Sequence, residues 1–126
     1  MDVADICRRV CAETEFVAIV TNGIDGPHLV GNWGDYMRTL GASEDTILLP
    51  AGRYQETERN LARDDRIQLL VASKKVQGTR STGQGCLISG RGKVVTSGEL
   101  AEKVKQSFRW ARGALVIQVE EIKTQL

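Results

Sequence analysis

The chain has 126 residues, of which 41% are hydrophobic, and its 17 basic and 16 acidic side chains leave a formal charge of +1. This length and apolar content predict one domain, residues 1–126, with a buried core. The near-zero charge argues against nucleic acid and a membrane surface as partners, and no segment is long and apolar enough to span a bilayer. Because the N-terminus lacks the basic start and apolar run of a secretory signal, we expect a cytoplasmic protein.

The cysteines are Cys7, Cys11 and Cys86, an odd number without C-x-x-C spacing, which favours reduced thiols. Cys7 and Cys11 would share one face of a helix and could hold a metal ion if His28 or Cys86 lay near. Filling of the core is the favoured interpretation, because cysteine is among the most often buried residues. The sequence therefore predicts no metal site.

The first third of the chain has the pattern of a helix followed by a hairpin. Apolar residues at helical spacing predict a helix over 3–13, with Asp2 as its N-cap. The β-branched run 16–21 predicts a strand, the turn-forming residues 22–27 close it, and 28–33 returns as its partner.

The stretch 25–36 concentrates aromatic residues beside glycines. Trp33 and Tyr36 are placed in a strand next to Gly31 and Gly34, in a chain with two Trp and two Tyr. Glycine lets the backbone approach a ligand closely, and aromatic faces suit a flat ring. The pattern equally fits a hairpin whose aromatic side chains fill a core.

The middle of the chain predicts a polar connection over 38–45 and a buried strand over 46–51, in which Pro50 must lie near the end or on an edge. Gly52 marks a corner, and a short helix over 53–63 follows.

The remaining elements are strands separated by one loop and one helix. We expect a strand over 66–73, a long mobile loop over 74–85, a strand over 86–96 that is bulged at its glycines, a helix from Ser97 to about Phe108 capped by Ser97, and a last strand over 114–120. Six short strands with hairpin connections favour a mainly antiparallel sheet that closes on itself. No Rossmann or P-loop motif occurs.

Side-chain chemistry for catalysis is sparse. The chain has one histidine and neither a G-x-S-x-G nor an H-E-x-x-H motif, so its catalytic residues are unknown and any chemistry would come from a cofactor. For His28 we favour a hydrogen-bonded structural imidazole over a ligand or catalytic role.

Two features point to an anionic, aromatic cofactor. The corner at Gly52 presents a helix N-terminus, which favours a phosphate, with Arg53 and Thr57 nearby. Trp33, Tyr36 and Trp110 offer faces for a ring. The alternatives stay open: a strand-to-helix corner needs glycine in any case, Trp110 could anchor the last helix, and Glu56 would repel a phosphate.

Several separated motifs then occur in a recognisable order: 25–30 (DGPHLV) with Trp33 and Tyr36, 57–64 (TExNLARD), 75–78 (KVxG), 108–117 (FRWARxALVI) and 124–126 (TxL). From about residue 15 to the C-terminus the chain resembles small bacterial FMN-binding proteins of the split-barrel flavoprotein class, which includes pyridoxamine 5'-phosphate oxidase.

The resemblance implies a six-stranded antiparallel Greek-key split barrel with a few short helices, pairing as a homodimer with one FMN per subunit near the interface. It places Gly31, Asn32 and Thr57 at the phosphate and ribityl chain, and the backbone of Pro50, Ala51 and Gly52 along the polar edge of the ring. It places Trp33 and Tyr36 against the ring, Trp110 near it, and Leu126 of the partner subunit in reach of it.

The chain departs from the resembled pattern near the phosphate. Gly31-Asn32 stands where the pattern has Asn-Thr before the Trp, and Glu56 stands where it has a lysine before the Thr. A glutamate beside a dianion weakens binding unless another cation substitutes, and we expect Arg53 to take that role.

The resemblance supports an electron-transfer flavoprotein with non-covalent FMN as the main hypothesis. The alternative is an enzyme on the same barrel, either an NAD(P)H-dependent flavin reductase or an oxidase of a pyridoxamine phosphate, in which 79–85 closes over the substrate and Arg80 or Arg112 holds its phosphate. A redox partner protein or a reduced nicotinamide is the expected electron source. A deazaflavin in place of FMN, and a binding module without flavin, are the remaining alternatives.

Overall fold

The computed structural model describes residues 3–41, 43, 45–78, 80 and 82–126. Over this part of the chain the elements are, in order, α1 (Val3–Glu13), β1 (Phe16–Gly23), β2 (Gly26–Trp33), α2 (Gly34–Leu40), β3 (Thr46–Ala51), α3 (Gln55–Arg63), β4 (Arg66–Gln77), β5 (Thr82–Val95), α4 (Glu99–Ser107) and β6 (Gly113–Gln125). None of the described helices combines the length and the apolar character needed to cross a membrane.

The six strands form one antiparallel sheet in the order β2-β1-β4-β5-β6-β3, so β2 and β3 are its edges. The sheet curls until these edges face each other, and the Asn32 side chain of β2 donates from Nδ2 to the Pro50 carbonyl of β3 over 3.4 Å. We call this line between β2 and β3 the seam. The predicted split barrel is confirmed, and Pro50 lies on an edge strand as expected because proline cannot donate to a central ladder.

The core lies inside the curled sheet, under α1. Alternate residues of the strands face inward, and α1 contributes Cys7 and Val10 to the same cluster. Cys86 is fully buried there, so Cys7 and Cys86 are core residues as predicted, while Cys11 is half-buried beside them. A smaller cluster around Leu48 and Val104 packs α4 and α2 against β3 and β6.

Helix α2 corrects two predictions, the strand that was to carry Tyr36 and the polar connection over 38–45. Residues 34–40 are helical because Met37 and Leu40, three apart, are buried on one face. Gly34 starts this helix by donating its N–H to the Glu15 carbonyl at 2.8 Å. A glycine followed by an aspartate resembles a turn in the sequence, and burial of the following apolar pair decides the structure.

The long loop predicted over 74–85 is also wrong. β4 runs to Gln77 and β5 starts at Thr82, so the two strands form an extended hairpin with an irregular register between Ser73 and Gln77. Val76 and Gln84 are buried in it. The connection is limited to residues 78–81, of which 79 and 81 lie outside the described residues.

Several element ends differ from the predictions. β1 continues to Gly23 and β2 begins at Gly26, so the turn is shorter than 22–27. Gly98, with φ +96°, precedes α4 in place of Ser97. β6 continues to Gln125, whereas the predicted N-cap Asp2 lies outside the described residues.

The predicted irregularity of β5 at its glycines is confirmed. The pairing of β5 with β6 shifts between Ser89 and Gly90. A Cβ at Gly90 would lie 1.9 Å from the Gln118 carbonyl oxygen, so the shifted register brings two backbones closer than a side chain allows.

Candidate functional site

A cavity of about 450 Å³ opens at the seam, a size typical of small-molecule sites. We call it the seam cavity. It is lined by Gly31, Asn32, Pro50, Gly52, Arg53, Tyr54 and Trp110. All of these except Tyr54 were predicted as site residues from the sequence, so the structure brings together side chains from β2, β3, the corner after β3 and the segment before β6.

The corner after β3 has a backbone that glycine and one strained residue make possible. A Cβ at Gly52 would lie 2.9 Å from Cζ3 of Trp110, so the indole packs directly on this glycine. Tyr54 follows with φ 54° and ψ 27°, a left-handed conformation that is unusual for a bulky residue. Helix α3 therefore begins at Gln55, two residues later than predicted. Such local strain is common at ligand sites.

The amide of Asn32 ties the seam together. Its Nδ2 donates to the Tyr54 hydroxyl at 2.8 Å as well as to the Pro50 carbonyl, and its Oδ1 accepts the N–H of Trp33 at 2.9 Å. Burial raises the pKa of Tyr54 to about 12, against a smaller opposing effect of the bond from Asn32. The phenol therefore stays neutral at physiological pH.

Thr57, at the third position of α3, is fully buried, and its Oγ1 has no hydrogen-bond partner within the described chain. A buried hydroxyl without a partner costs about 1–3 kcal/mol. It lies in the first helical turn, where backbone N–H groups also lack intrahelical acceptors. These donors fit a ligand that brings anionic oxygens to the start of α3.

The first turn of α3 also carries carboxylates, and the structure pairs them. His28 on β2 contacts Glu56 through Nδ1, and the structural role predicted for this imidazole stays a prediction. Arg112 contacts Glu58 at 2.8 Å. Arg53 is exposed beside the cavity.

Arg112 also fixes the corner. Its Nε donates to the Arg53 carbonyl at 2.9 Å, and its backbone N–H donates to the Ala51 carbonyl at 2.8 Å. Ala51 is fully buried, so it contributes backbone rather than side chain to this region. Sequence reasoning considered Arg112 only as a substrate-binding cation.

Aromatic side chains cluster at the other end of the cavity. The rings of Tyr36, Phe108 and Trp110 contact each other in tilted and edge-on arrangements, with centroids 4.9 to 5.7 Å apart. Trp110 is 54% exposed, which is unusual for so large an apolar side chain. A half-exposed ring cluster of this kind is a surface on which another flat ring can pack.

Trp33 and Tyr36 face a neighbouring cavity of about 750 Å³, on the α2 side, which Arg38, Lys74 and Lys75 also line. The structure thus does not place these two rings in the seam cavity itself, but Tyr36 joins the two spaces through its contact with Trp110. Trp33 is half exposed and packs edge-on to Phe16, with centroids 6.2 Å apart.

The glycines at 31 and 34 have packing reasons that the sequence did not reveal. A Cβ at Gly31 would lie 2.0 Å from Cζ of Phe16, and one at Gly34 would lie 2.0 Å from the Thr14 carbonyl oxygen. Gly31 therefore makes room for the Phe16 ring across the strand pair. Its position in the cavity lining follows from this packing and is not in itself evidence of a ligand.

Leu126 lies apart from the seam cavity. It is 75% exposed and lines a cavity of about 510 Å³ next to Ala72 and Gln84. Its predicted contact with the ring involves a partner subunit and stays a prediction.

Sequence reasoning did not assign Tyr54, Phe16 or Phe108 to the site. Tyr54 stands inside the corner that was recognised, so its position was the available signal. Phe16 and Phe108 enter through contacts across the sheet and between elements, which no local pattern indicates. In the part of the chain that the structure covers, no group of three or more His, Cys, Asp or Glu side chains is arranged to hold a metal ion.

A profile of the family described as "Pyridoxamine 5'-phosphate oxidase" matches residues 4–125. An "FMN-binding protein" of Nitratidesulfovibrio vulgaris (strain DSM 19637 / Miyazaki F) is 44% identical over 103 residues, which cover 82% of this chain and 82% of the relative.

Solved structures have the same fold. HupZ from Group A Streptococcus, solved as a tagged protein, has a TM-score of 0.70 at 16% identity, with 97% of this chain and 90% of that chain covered. An FMN-binding protein of Syntrophomonas wolfei subsp. wolfei has a TM-score of 0.70 at 13% identity, with 98% and 86% covered. At these identities the two structures establish the architecture alone.

Proposed function

Because the chain belongs to the pyridoxamine 5'-phosphate oxidase family, we propose that it binds FMN non-covalently at the seam cavity and transfers electrons between redox partners. The observation that carries this proposal is the seam cavity, whose lining combines the exposed Arg53 with the half-exposed indole of Trp110. The buried, unpaired hydroxyl of Thr57 is not part of that lining, but it lies in the first turn of α3, which begins directly after Tyr54 of the lining. Bound FMN supplies the redox chemistry, and the protein supplies binding and water exclusion.

At the phosphate end, Arg53 and the Thr57 hydroxyl are the proposed partners, together with the N–H groups that begin α3. A guanidinium and a helix N-terminus both favour a dianion. Gly31 and Asn32 are the proposed neighbours of the ribityl chain. Since Asn32 already holds the seam closed, it would orient the chain while keeping β2 and β3 together.

At the ring end, the backbone of Pro50, Ala51 and Gly52 is proposed to follow the polar edge of the flavin. Trp33, Tyr36 and Trp110 are proposed to flank the ring; their half-exposed rings would be covered by it and would keep water from it. Backbone groups hydrogen-bond the ring edge without titrating, so the flavin environment would be constant over the physiological pH range.

We propose further that the protein is a homodimer in which Leu126 of the partner subunit reaches the ring. The outer face of the sheet supports this proposal. Phe16, Leu29 and Leu70 are 42% to 68% exposed, and the strand register places them on adjacent strands, with Ala18 paired to Leu70. Exposed apolar surface of this kind marks an interface, and a second copy of the chain is the proposed occupant.

A second candidate function is an NAD(P)H-dependent flavin reductase. The 750 Å³ cavity favours it by its size and by the rings of Trp33 and Tyr36, which could admit a reduced nicotinamide. Its charges balance, because Glu13, Glu15 and Asp35 line it together with Arg38, Lys74 and Lys75. An oxidase of a pyridoxamine phosphate is less supported, since Arg112 is engaged by Glu58 and by the Arg53 backbone, and residues 82–85 belong to β5.

The proposal is tested by the visible spectrum of the purified protein and by what heat releases from it. We expect blue-region flavin absorbance and release of FMN, identified by mass so that a deazaflavin is distinguished. Titration of flavin-free protein should give tighter binding of FMN than of riboflavin, which lacks the phosphate. Protein that is colourless and takes up no added FMN contradicts the proposal.

The quaternary structure and the electron source need separate measurements. Sedimentation should give twice the monomer mass, and Leu70→Asp on the outer face should give monomers. Stopped-flow mixing with NADH and NADPH distinguishes the two functions: rapid flavin reduction supports the reductase, and its absence supports transfer between protein partners.

A further inference from the structure

Helix α3 begins with an arrangement that is unusual for an anion site. Glu56 and Glu58 occupy its second and fourth positions, on either side of Thr57. Carboxylates at these positions stabilise a helix through its dipole, but they repel a phosphate that approaches the same N–H groups.

The carboxylate of Glu56 is held by a residue from another element. His28 on β2 contacts Glu56 Oε2 through Nδ1. A carboxylate only accepts hydrogen bonds, so an imidazole that donates to it carries a proton on Nδ1. The His28 side chain is 25% exposed and that of Glu56 56% exposed. A partly buried donor on a strand thus fixes a mobile, mostly solvated carboxylate.

We propose that His28 is a positioning residue for phosphate recognition: it holds the Glu56 carboxylate against β2 and so keeps this charge away from the phosphate of the bound flavin. This inference rests on the proposed function. Without the imidazole, the Glu56 side chain can adopt several rotamers. Those that bring its carboxylate close to the phosphate dianion raise the free energy of the bound state. His28 would therefore determine how strongly the site prefers a phosphorylated flavin over a neutral one.

His28 is a better test than Arg112, although both hold a first-turn carboxylate. Arg112 also donates to the Arg53 and Ala51 carbonyls, so its substitution would move the corner itself. In the pair of His28 and Glu56, the effect of the carboxylate charge can be measured separately from a change in structure, because each partner has a nearly isosteric substitute.

The experiment measures dissociation constants for FMN and riboflavin by quenching of flavin fluorescence, in the full chain. The variants are His28→Ala, His28→Asn, Glu56→Gln and the double variant His28→Ala with Glu56→Gln. Arg91→Ala is the matched control, since it removes a cation that contacts Asp65 at 2.7 Å and lies outside the cavity lining.

We expect His28→Ala to weaken FMN about threefold to tenfold and to leave riboflavin within about twofold, the size of one partly solvated charge interaction. His28→Asn keeps a donor near the Nδ1 position and should restore most of the FMN affinity. The double variant should also restore it, because no carboxylate is left to reorient. Glu56→Gln alone should bind FMN as tightly as the parent or more tightly.

Equal loss of FMN and riboflavin in His28→Ala, or no loss of FMN, overturns the inference. So does a double variant as weak as His28→Ala, or weaker FMN binding by Glu56→Gln alone. A parent protein that takes up no FMN overturns the proposed function as well, whereas a parent that binds FMN with an unaffected His28→Ala variant overturns this inference alone.

Discussion

Two cavities of this protein differ in what their polar groups do. The seam cavity is lined by the half-exposed indole of Trp110 and by Tyr54, directly after which α3 begins with the unpaired hydroxyl of Thr57 in its first turn. The second, which we call the α1 cavity, has about 290 Å³ between α1 and the sheet and is lined mainly by apolar and thiol groups, among them Cys7, Cys11, Met37, Ile47, Ile88, Val119 and Ile122.

The polar groups of the α1 cavity are used within the protein. Arg38 donates to the carbonyls of Cys11 and Thr14 at 3.1 and 2.7 Å, and the thiols of Cys7 and Cys11 contact each other at 3.9 Å. The packing of helix α1 on the sheet thus accounts for the α1 cavity without a ligand. The seam cavity differs in having an exposed cation, Arg53, and a half-exposed indole, Trp110, in its lining, groups that suit a ligand.

The largest expected effect is on stability, and it distinguishes the α1 cavity from the seam cavity. Ile88→Ala, which enlarges the α1 cavity at a fully buried position, should lower the free energy of unfolding by about 2–5 kcal/mol. The folded variant should bind FMN as the parent does. Urea titration and flavin titration measure the two quantities, and Ile24→Ala, at an 84% exposed turn, is the control. If Ile88→Ala left the stability unchanged and abolished FMN binding, the α1 cavity and not the seam cavity would be the flavin site.

The next prediction, for Thr57→Val, has opposite signs for the stability of the protein and for its FMN affinity. Thr57→Val removes the unpaired hydroxyl, so the flavin-free protein should be as stable as the parent or more stable by about 1 kcal/mol. FMN affinity should fall about tenfold to 150-fold, as for one lost hydrogen bond to a charged group of about 1.5–3 kcal/mol.

The control for this prediction is Thr39→Val, whose exposed hydroxyl donates to the Asp35 carbonyl and lies outside the seam cavity. It should leave FMN affinity unchanged. Parental FMN affinity in Thr57→Val would show that the buried hydroxyl serves another purpose than binding phosphate.

A smaller effect distinguishes recognition of the flavin ring from recognition of its phosphate. Trp110→Ala and Trp33→Ala should each loosen FMN about fivefold, corresponding to a ring contact of about 1 kcal/mol. Riboflavin should be weakened equally, because the ring is common to both flavins, whereas Thr57→Val should affect FMN alone. If either Trp variant retained parental affinity for both flavins, that indole would not lie at the ring.

The smallest effect concerns pH. The pKa of Tyr54 is about 12 in the folded protein and 10.0 as its ordinary value, so the folded state keeps a proton that the unfolded state loses. The contribution to stability is complete below pH 10 and declines as the pH rises from 10 to 12.

Tyr54→Phe should abolish this decline, at the cost of the hydrogen bond from Asn32 at lower pH. Urea midpoints at about pH 9 and about pH 11, on either side of the ordinary tyrosine pKa, measure it. An equal decline in parent and variant would assign the pH dependence to other groups.

The sequence predicted the strands and the corner of the site where local chemistry decides the structure. Pro50 restricts the backbone directly, Gly52 permits close approach at the corner, and the alternating strands follow from burial of one face. Helix α2 and the hairpin around Val76 were not predicted from the sequence. Burial of single residues in the tertiary structure decided these elements, although the neighbouring residues in the sequence are polar or glycine-rich.

Six of the seven residues that line the seam cavity were named from the sequence, whereas their contacts were predicted only in part. The left-handed Tyr54, the Phe16 ring over Gly31 and the pairing of His28 with Glu56 all join elements distant in the chain. Spacing along the sequence carries no information on such contacts. The resemblance to a family indicated the positions, and the structure supplied the reason for each residue type.

The seam has a consequence for how a ligand is exchanged. In the described chain β2 and β3 meet through the Asn32 side chain and share no ladder, so a molecule that enters between them displaces no backbone hydrogen bond. The hydrogen bonds recorded across this line come from one amide, that of Asn32, and side-chain rotations are fast motions compared with unfolding of a strand. The protein should therefore be emptied and refilled in its native state, with its strands intact throughout.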